Sequence, residues 1–600
     1  MIRLSDYVID QVARQGVKHV FMVSGGGGMF LIESLGLRKD MQYVCNHHEQ
    51  AVAMAADGYA RITGNLGVAL VTTGPAGTNA LTGVMCAWTD SIPMLVLSGQ
   101  AKSTSLIDNT GLRQRGFHEA NITKIVESVT KYAVTVRDPK QIAYHLGKAI
   151  FLATNGRSGP VWIDLPLDVQ GSMIDPDQLI PFEPEKEFPE YFVQKPIPEV
   201  AQVVELLKRS KRPMIVAGNG IKLALRQNSF LRLVEQANVP VVTSRNAFDV
   251  IHHDHPLRAG LIGTYGQRAA NFSVQNSDLV LSLGCRLAST AVSYDPQFFA
   301  RDAKKIVVDI DKNQLQHCSI RIDLPILADL RTFLDQLLAA LKNESLPDYG
   351  PWLEKVHHWL SIFPNVPPAM RAQEQYVNPY YFYEVLSEEM TAGDPLVWDQ
   401  GAAYHCAAVA FKTRKGQRAF SADGFSPMGY GLPAAIGACF AGDKKRLVCV
   451  HGDGGLQMNV QELQTVWHHR LPIKLFVFSN QGYTSIKHTQ TQYFDGHLVG
   501  SDPASGVSCP DTLKIAAGYQ LPCIRVENHA DLRQAIRQAL DSEGPFVVDV
   551  VLHPMQPIEP RLKSERLSDG RMVSKPLEDM YPYLDRELFR NEMIVKPLEG

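Results

Sequence analysis

Two short runs in the last third of the chain carry residues able to hold a metal ion beside a phosphate: Gly452-Asp453-Gly454-Gly455 and Ser479-Asn480-Gln481-Gly482. The sequence around them reads as an apolar strand, the glycine turn, a helical segment, a second apolar strand and an Asn-Gln-Gly turn. Parallel strands would leave both turns on one edge of a sheet, where open α/β folds bind ligands. Asp453 and Asn480 then meet as hard oxygen ligands, and the glycines let the backbone approach a phosphate. A carboxylate, an amide oxygen and diphosphate oxygens suit octahedral Mg²⁺. The competing reading is a pair of ordinary strand-ending turns, which the spacing and the asparagine disfavour.

Near the N-terminus, CNHHEQAVAMAADGYARITG places Glu49 at the start of a helix, with Ala51, Ala55, Ala56 and Gly58 permitting close packing. Alone, Glu49 is a first-turn carboxylate favoured by the helix dipole. Beside the Asp453 and Asn480 runs it reads differently. Over almost its whole length, glutamate segment first and diphosphate segment last, the chain resembles thiamine diphosphate-dependent enzymes, in particular the acetolactate synthase (acetohydroxyacid synthase) large subunit. The family's metal motif starts Gly-Asp-Gly and ends Asn-Asn; Ser479 replaces the first asparagine.

The resemblance implies that Asp453, Asn480 and the Gly482 carbonyl hold Mg²⁺ on thiamine diphosphate, with Gly454, Gly455 and Tyr483 also at the cofactor. It implies that Glu49 activates the cofactor through its pyrimidine ring, a task suited to a half-buried carboxyl of raised pKa. The cofactor is then the electron sink, so few other acids or bases are needed. Gly74-Pro75-Ala76-Gly77-Thr78-Asn79 resembles the glycine-rich turn near the pyrimidine, which assigns Pro75 and Asn79 to the cofactor. Gly26, within Ser24 to Gly28, stands in the early glycine loop; a flexible turn is the alternative. Ser426-Pro427-Met428-Gly429-Tyr430-Gly431 resembles the segment that wedges an apolar side chain, here Met428, between the cofactor rings, with Ser426 alongside. Gln400-Gly401-Ala402-Ala403 resembles a diphosphate-touching segment that usually ends Gln-His, so the alanines leave backbone contacts. His118 replaces a glutamine of the family and reads as a catalytic contact or proton shuttle, with a solvated loop histidine as the alternative. Thr489 stands where acetolactate synthases place an acceptor-selecting tryptophan, which argues against branched-chain amino-acid synthesis.

The positioning elements follow from alternation of apolar strands with helical stretches, which predicts three consecutive doubly wound parallel-sheet α/β domains. They are a pyrimidine-binding domain at 1–175, a Rossmann-like domain at 195–345 and a diphosphate-binding domain at 370–554. A Pro- and Glu-rich linker and a connector with Pro347, Pro351, Pro364, Pro367 and Pro368 separate them. The middle domain's AGNGI, GLIGTYGQ and LGCRL resemble the family's FAD-binding domain. The flavoenzyme pattern after Arg286 is replaced by Leu287-Ala288-Ser289-Thr290, so an inert Rossmann-like domain is the alternative. The irregular segment 555–600 has apolar anchors, including Met580 and Phe589, and prolines that preclude one long helix; it reads as a lid over the site or a dimer brace.

A net charge of −3 without a long basic run argues against nucleic acid. Nine scattered cysteines read as reduced thiols, and no apolar run reaches membrane-spanning length. The expectation is a cytoplasmic homodimer or homotetramer. It would decarboxylate a 2-oxo acid, pyruvate first among them, and ligate the acyl unit to a carbonyl acceptor. Alternatives are branched-sugar synthesis, a plain decarboxylase or oxidase, and a catalytically silent scaffold.

Overall fold

The computed structural model describes residues 1–600 apart from Asn109, Gln194, Leu567, Ser568, Gly570, Glu599 and Gly600. Three six-stranded parallel sheets follow one another along the chain. Their central strands, such as Gly67–Val71 and Leu279–Leu283, are buried along their whole length, which is why they are continuous apolar runs without alternation. With each sheet's strands numbered in chain order, the first and third share the order 2-1-3-4-6-5. The middle sheet runs 3-2-1-4-5-6, the order of dinucleotide-binding folds. Ile2–Arg3 pairs antiparallel with Met173–Ile174 and closes the first unit.

In the third sheet, Leu447–Gly452 pairs in parallel with Ile473–Ser479, and Gly452 lies opposite Phe478. Asp453 and Asn480 are the next residues on each strand. Adjacent strands therefore release both motif residues at one sheet edge.

The first and third units share a core through two helices, Glu49–Thr63 and Gly431–Ala441. Small residues allow the contact: a Cβ on Gly58 would lie 2.2 Å from the Ala434 carbonyl oxygen, and one on Gly437 1.8 Å from that of Ala55. The proline connector after 345 differs from the expectation of a mere separator. Gly350–Ile362 is a helix with Pro351 in its first turn, the one helical position where a missing N–H costs nothing. Its Trp352 Nε1 donates to the Pro213 carbonyl at 2.9 Å, and Trp352 and Trp359 join the middle domain's core.

The C-terminal segment is docked. Leu562, Leu577 and Phe589 enter the middle domain's core, Asn271 donates to the Leu577 carbonyl, and Arg301 pairs with buried Glu578. Its first stretch crosses the Thr484–Tyr493 helix, where Arg561 donates to Gln492 at 2.9 Å and the Gln556 carbonyl meets His488 at 2.7 Å.

Candidate active site

At the edge of the third sheet, Asp453 is a buried carboxylate. Its Oδ1 accepts from the Gly454 amide at 2.8 Å, and its Oδ2 from the amides of Asn480 and Gln481 at 3.1 and 3.0 Å. Burial pushes its carboxyl above the usual carboxylate range, against the pull of these amides. Asn480 Oδ1 is buried with no hydrogen-bond donor among the described residues. Gly482 follows with φ +120°, a conformation suited to glycine. An orphan amide oxygen beside a buried carboxylate is a donor set that fits a hard divalent cation. The Tyr483 ring lies against Gly454, where a Cβ would approach it to 2.5 Å, and a Cβ on Gly455 would reach 2.1 Å from Asp399. Neither glycine has room for a side chain.

A second turn opens beside the first. Gly401, at φ +74°, precedes the helix Ala402–Ala410, whose N-terminus no side chain caps. Its first amides, at Ala402 and Ala403, are thus suited to an anion. The Gln400 side chain is engaged elsewhere, donating to Ser421 Oγ at 3.2 Å. Asp399, just before it, was not singled out by sequence and proves central. It accepts from the amides of Gly429 and Gly431 at 3.1 and 3.2 Å and faces His451 Nδ1 at 3.2 Å. Burial raises its carboxyl, but His451 and the two amides outweigh this and hold it below the usual range. His451 Nε2 accepts from the Leu432 amide at 2.8 Å. Asp399 therefore fixes the end of the loop that carries Ser426 and half-buried Met428. An acidic residue directly after an apolar strand and two positions before a glycine was the available signal.

The first domain gathers a separate group. Glu49 is half-buried at the first position of its helix, and its Oε2 accepts from Asn79 Nδ2 at 3.0 Å. Asn79 and Pro75 lie on the helix Pro75–Asp90, after Gly74 at φ +63°. The His118 backbone closes this turn, since a Cβ on Gly74 would come within 2.0 Å of its carbonyl oxygen. His118 itself has φ +58°, and its exposed ring stacks on Phe117 at 3.7 Å. Gly25 and Gly27 pack against Thr72 and Thr73, whereas the Cβ position of Gly26 faces open space. Asn459 links the two groups, donating to Gln50 Oε1 at 3.2 Å and to the Gly429 carbonyl at 2.9 Å. Among the described residues, no hydrogen bond or ion pair joins Glu49 to Asp453 or Asn480. The chain holds two half-sites, each at the carboxyl edge of its own sheet.

Three family models match in the order of these domains. "Thiamine pyrophosphate enzyme, N-terminal TPP binding domain" covers residues 2–125, the central domain 200–337, and the C-terminal TPP binding domain 399–550. A probable acetolactate synthase large subunit of Methanocaldococcus jannaschii is 32% identical over 563 residues, 92% of each chain. The chloroplastic acetolactate synthase of Arabidopsis thaliana is 31% identical over 93% of this chain and 83% of its own length. The chain belongs to the acetolactate synthase family of thiamine diphosphate enzymes.

The middle domain of this family member has a large cleft, about 1230 Å³ with its mouth included, at the carboxyl ends of its strands. Asn219, Gly220, Ser244, Arg245, Arg286 and Asp309 line it. Arg286, which sequence paired with a diphosphate, donates to the Thr89 carbonyl at 2.7 Å. Arg245, which sequence passed over, is half-buried. It donates to the Tyr404 hydroxyl at 2.9 Å, while its Nε and Nη2 have no partner among the described residues. Thr489 is exposed on the helix beneath the C-terminal segment.

Proposed function

We propose that this protein is a thiamine diphosphate- and Mg²⁺-dependent enzyme that decarboxylates pyruvate and joins the acyl unit to a carbonyl acceptor. The buried Asp453–Asn480 corner carries this reading, because it supplies cation ligands on a sheet edge flanked by open glycine turns. When bound, the cofactor supplies the electron sink for decarboxylation. Asp453, Asn480 and the Gly482 carbonyl hold the metal. Gly401 and the amides of Ala402 and Ala403 receive phosphate oxygens, and Met428 fills space against the cofactor rings. Glu49, oriented by Asn79, holds a proton at the pyrimidine.

The lack, among the described residues, of any hydrogen bond or ion pair from Glu49 to Asp453 or Asn480 supports an active homodimer in which Glu49 of one protomer faces the Asp453 corner of its partner across a two-fold axis. The strand order and the glycine loops Gly218-Asn219-Gly220 and Gly284 support a dinucleotide such as FAD in the middle cleft. A yellow chromophore released on denaturation would establish it; a colourless, nucleotide-free protein would return the domain to a structural role. Nine free thiols support a cytoplasmic setting.

The test of the whole reading is incubation with pyruvate, thiamine diphosphate and Mg²⁺, with CO₂ and ligation product measured across a panel of 2-oxo-acid, aldehyde and keto-sugar acceptors. Release of CO₂ with ligated product is expected. Aldehyde alone would reduce the reading to a decarboxylase, and silence across the panel would favour a scaffold.

A further inference from the structure

The loop that presents Met428 bends sharply on both sides of Pro427-Met428, with φ +55° at Ser426 and +86° at Gly429. A non-glycine residue in the left-handed region persists only where its surroundings impose it. At its far end the loop is held by Asp399 through the Gly429 and Gly431 amides, and the Tyr430 hydroxyl donates to buried Asp57. At its near end the clamp comes from another domain. Asp90, the last residue of the helix Pro75–Asp90, has a fully buried side chain. Its Oδ1 accepts from the Gly424 amide at 2.9 Å and Asn246 Nδ2 at 2.8 Å. Its Oδ2 accepts from the Asp423 amide at 3.0 Å and Arg61 Nη2 at 2.8 Å. Gly424 must be glycine here, since a Cβ would lie 2.6 Å from Asp90 Oδ1.

We propose that Asp90 is a positioning residue for Met428: its carboxylate fixes the start of the loop and so the register at which the methionine is presented. The proposal rests on the reading of Met428 as the side chain packed against the cofactor. Four donors from three segments need an acceptor on both oxygens. The amide of Asp90→Asn offers only one, and leaves either the Asn246 and Gly424 pair or the Asp423 and Arg61 pair facing an N–H₂ group.

The test combines backbone exchange with a mutant cycle. In Asp90→Asn, and independently in Gly424→Ala, amide hydrogen exchange at Asp423 and Gly424 should accelerate about tenfold in protein without cofactor. Turnover should fall about tenfold with the KM for pyruvate unchanged. Each change should add nothing to the loss already present in Met428→Ala, because both act through the same side chain. Should Asp90→Asn fail to fold, Gly424→Ala carries the same comparison with the charge intact. Losses that multiply with that of Met428→Ala, or a raised KM at unchanged kcat, would overturn the role of Asp90. A fully active Met428→Ala enzyme would instead overturn the reading of Met428, and the positioning role with it.

Discussion

Replacing Gly58 by alanine perturbs the closest approach between the domain of Glu49 and the domain of Asp453. The new Cβ would lie 2.2 Å from the Ala434 carbonyl oxygen, whereas ordinary contact begins at 3.4 Å, so the helices must part by roughly the 1.2 Å difference. Gly437→Ala makes the reciprocal demand at Ala55, where 1.8 Å leaves a shortfall of roughly 1.6 Å. Neither opposing atom is a flexible side-chain end; both are backbone oxygens inside helices. Overpacking of this kind costs about 1–3 kcal/mol. The helix that moves begins at Glu49, and a misplacement of about 1 Å in a catalytic group lowers turnover by about 10²-fold. Urea unfolding and pyruvate decarboxylation should therefore register both losses in both variants. Gly36→Ala is the control, because nothing lies within 4 Å of its Cβ position; its stability should stay within about 0.5 kcal/mol of wild type. Wild-type stability and turnover in Gly58→Ala and Gly437→Ala would refute the claim that this contact sets the position of Glu49.

Asp453→Asn should still fold in metal-free buffer, the relief of a buried charge offsetting the backbone amide that its N–H₂ group leaves without an acceptor. It should lose most of the stabilisation of about 2.7 kcal/mol that thiamine diphosphate and Mg²⁺ give the wild type at a hundredfold excess over Kd, measured by thermal shift. Mixing inactive Glu49→Gln chains with inactive Asp453→Asn chains should restore activity in heterodimers; no recovery despite proven subunit exchange would place each site within one chain. Burial pushes the Asp164 carboxyl up to about 6. A raised acid stabilises the fold fully below about pH 4, and that contribution is lost as pH rises through about 6. Unfolding midpoints should show wild type losing up to about 3 kcal/mol relative to Asp164→Asn between pH 4 and 7, and parallel profiles would refute the burial argument.

The legible parts of this site were those whose chemistry constrains neighbouring residues. Asp453 with its glycines, Asn480 at the next strand's end, and Glu49 opening a helix of small residues each carry a local reason for their residue type. The three-sheet architecture was legible for a similar reason, because fully buried parallel strands are apolar without alternation. Asp90, Asp57 and Arg61 gave no such signal. Their partners arrive from segments far apart in sequence, as when Asp90 gathers Arg61, Asn246, Asp423 and Gly424. In one dimension such carboxylates look like surface residues. The helix Gly350–Ile362 was hidden by its own Pro351, a breaker everywhere except the first turn, where it stands. Strand order was likewise invisible, since crossovers between parallel strands leave no mark on strand composition.

The most direct measurement of the central claim is deuterium exchange at the C2 position of thiamine diphosphate bound with Mg²⁺ to wild-type protein and to Glu49→Gln. Acid–base assistance of this kind is worth about 10²–10⁴-fold. Exchange in the variant should slow by that factor while cofactor affinity, set at the Asp453–Asn480 corner, stays within about threefold of wild type. Exchange at the wild-type rate in Glu49→Gln, with the cofactor demonstrably bound, would contradict the account.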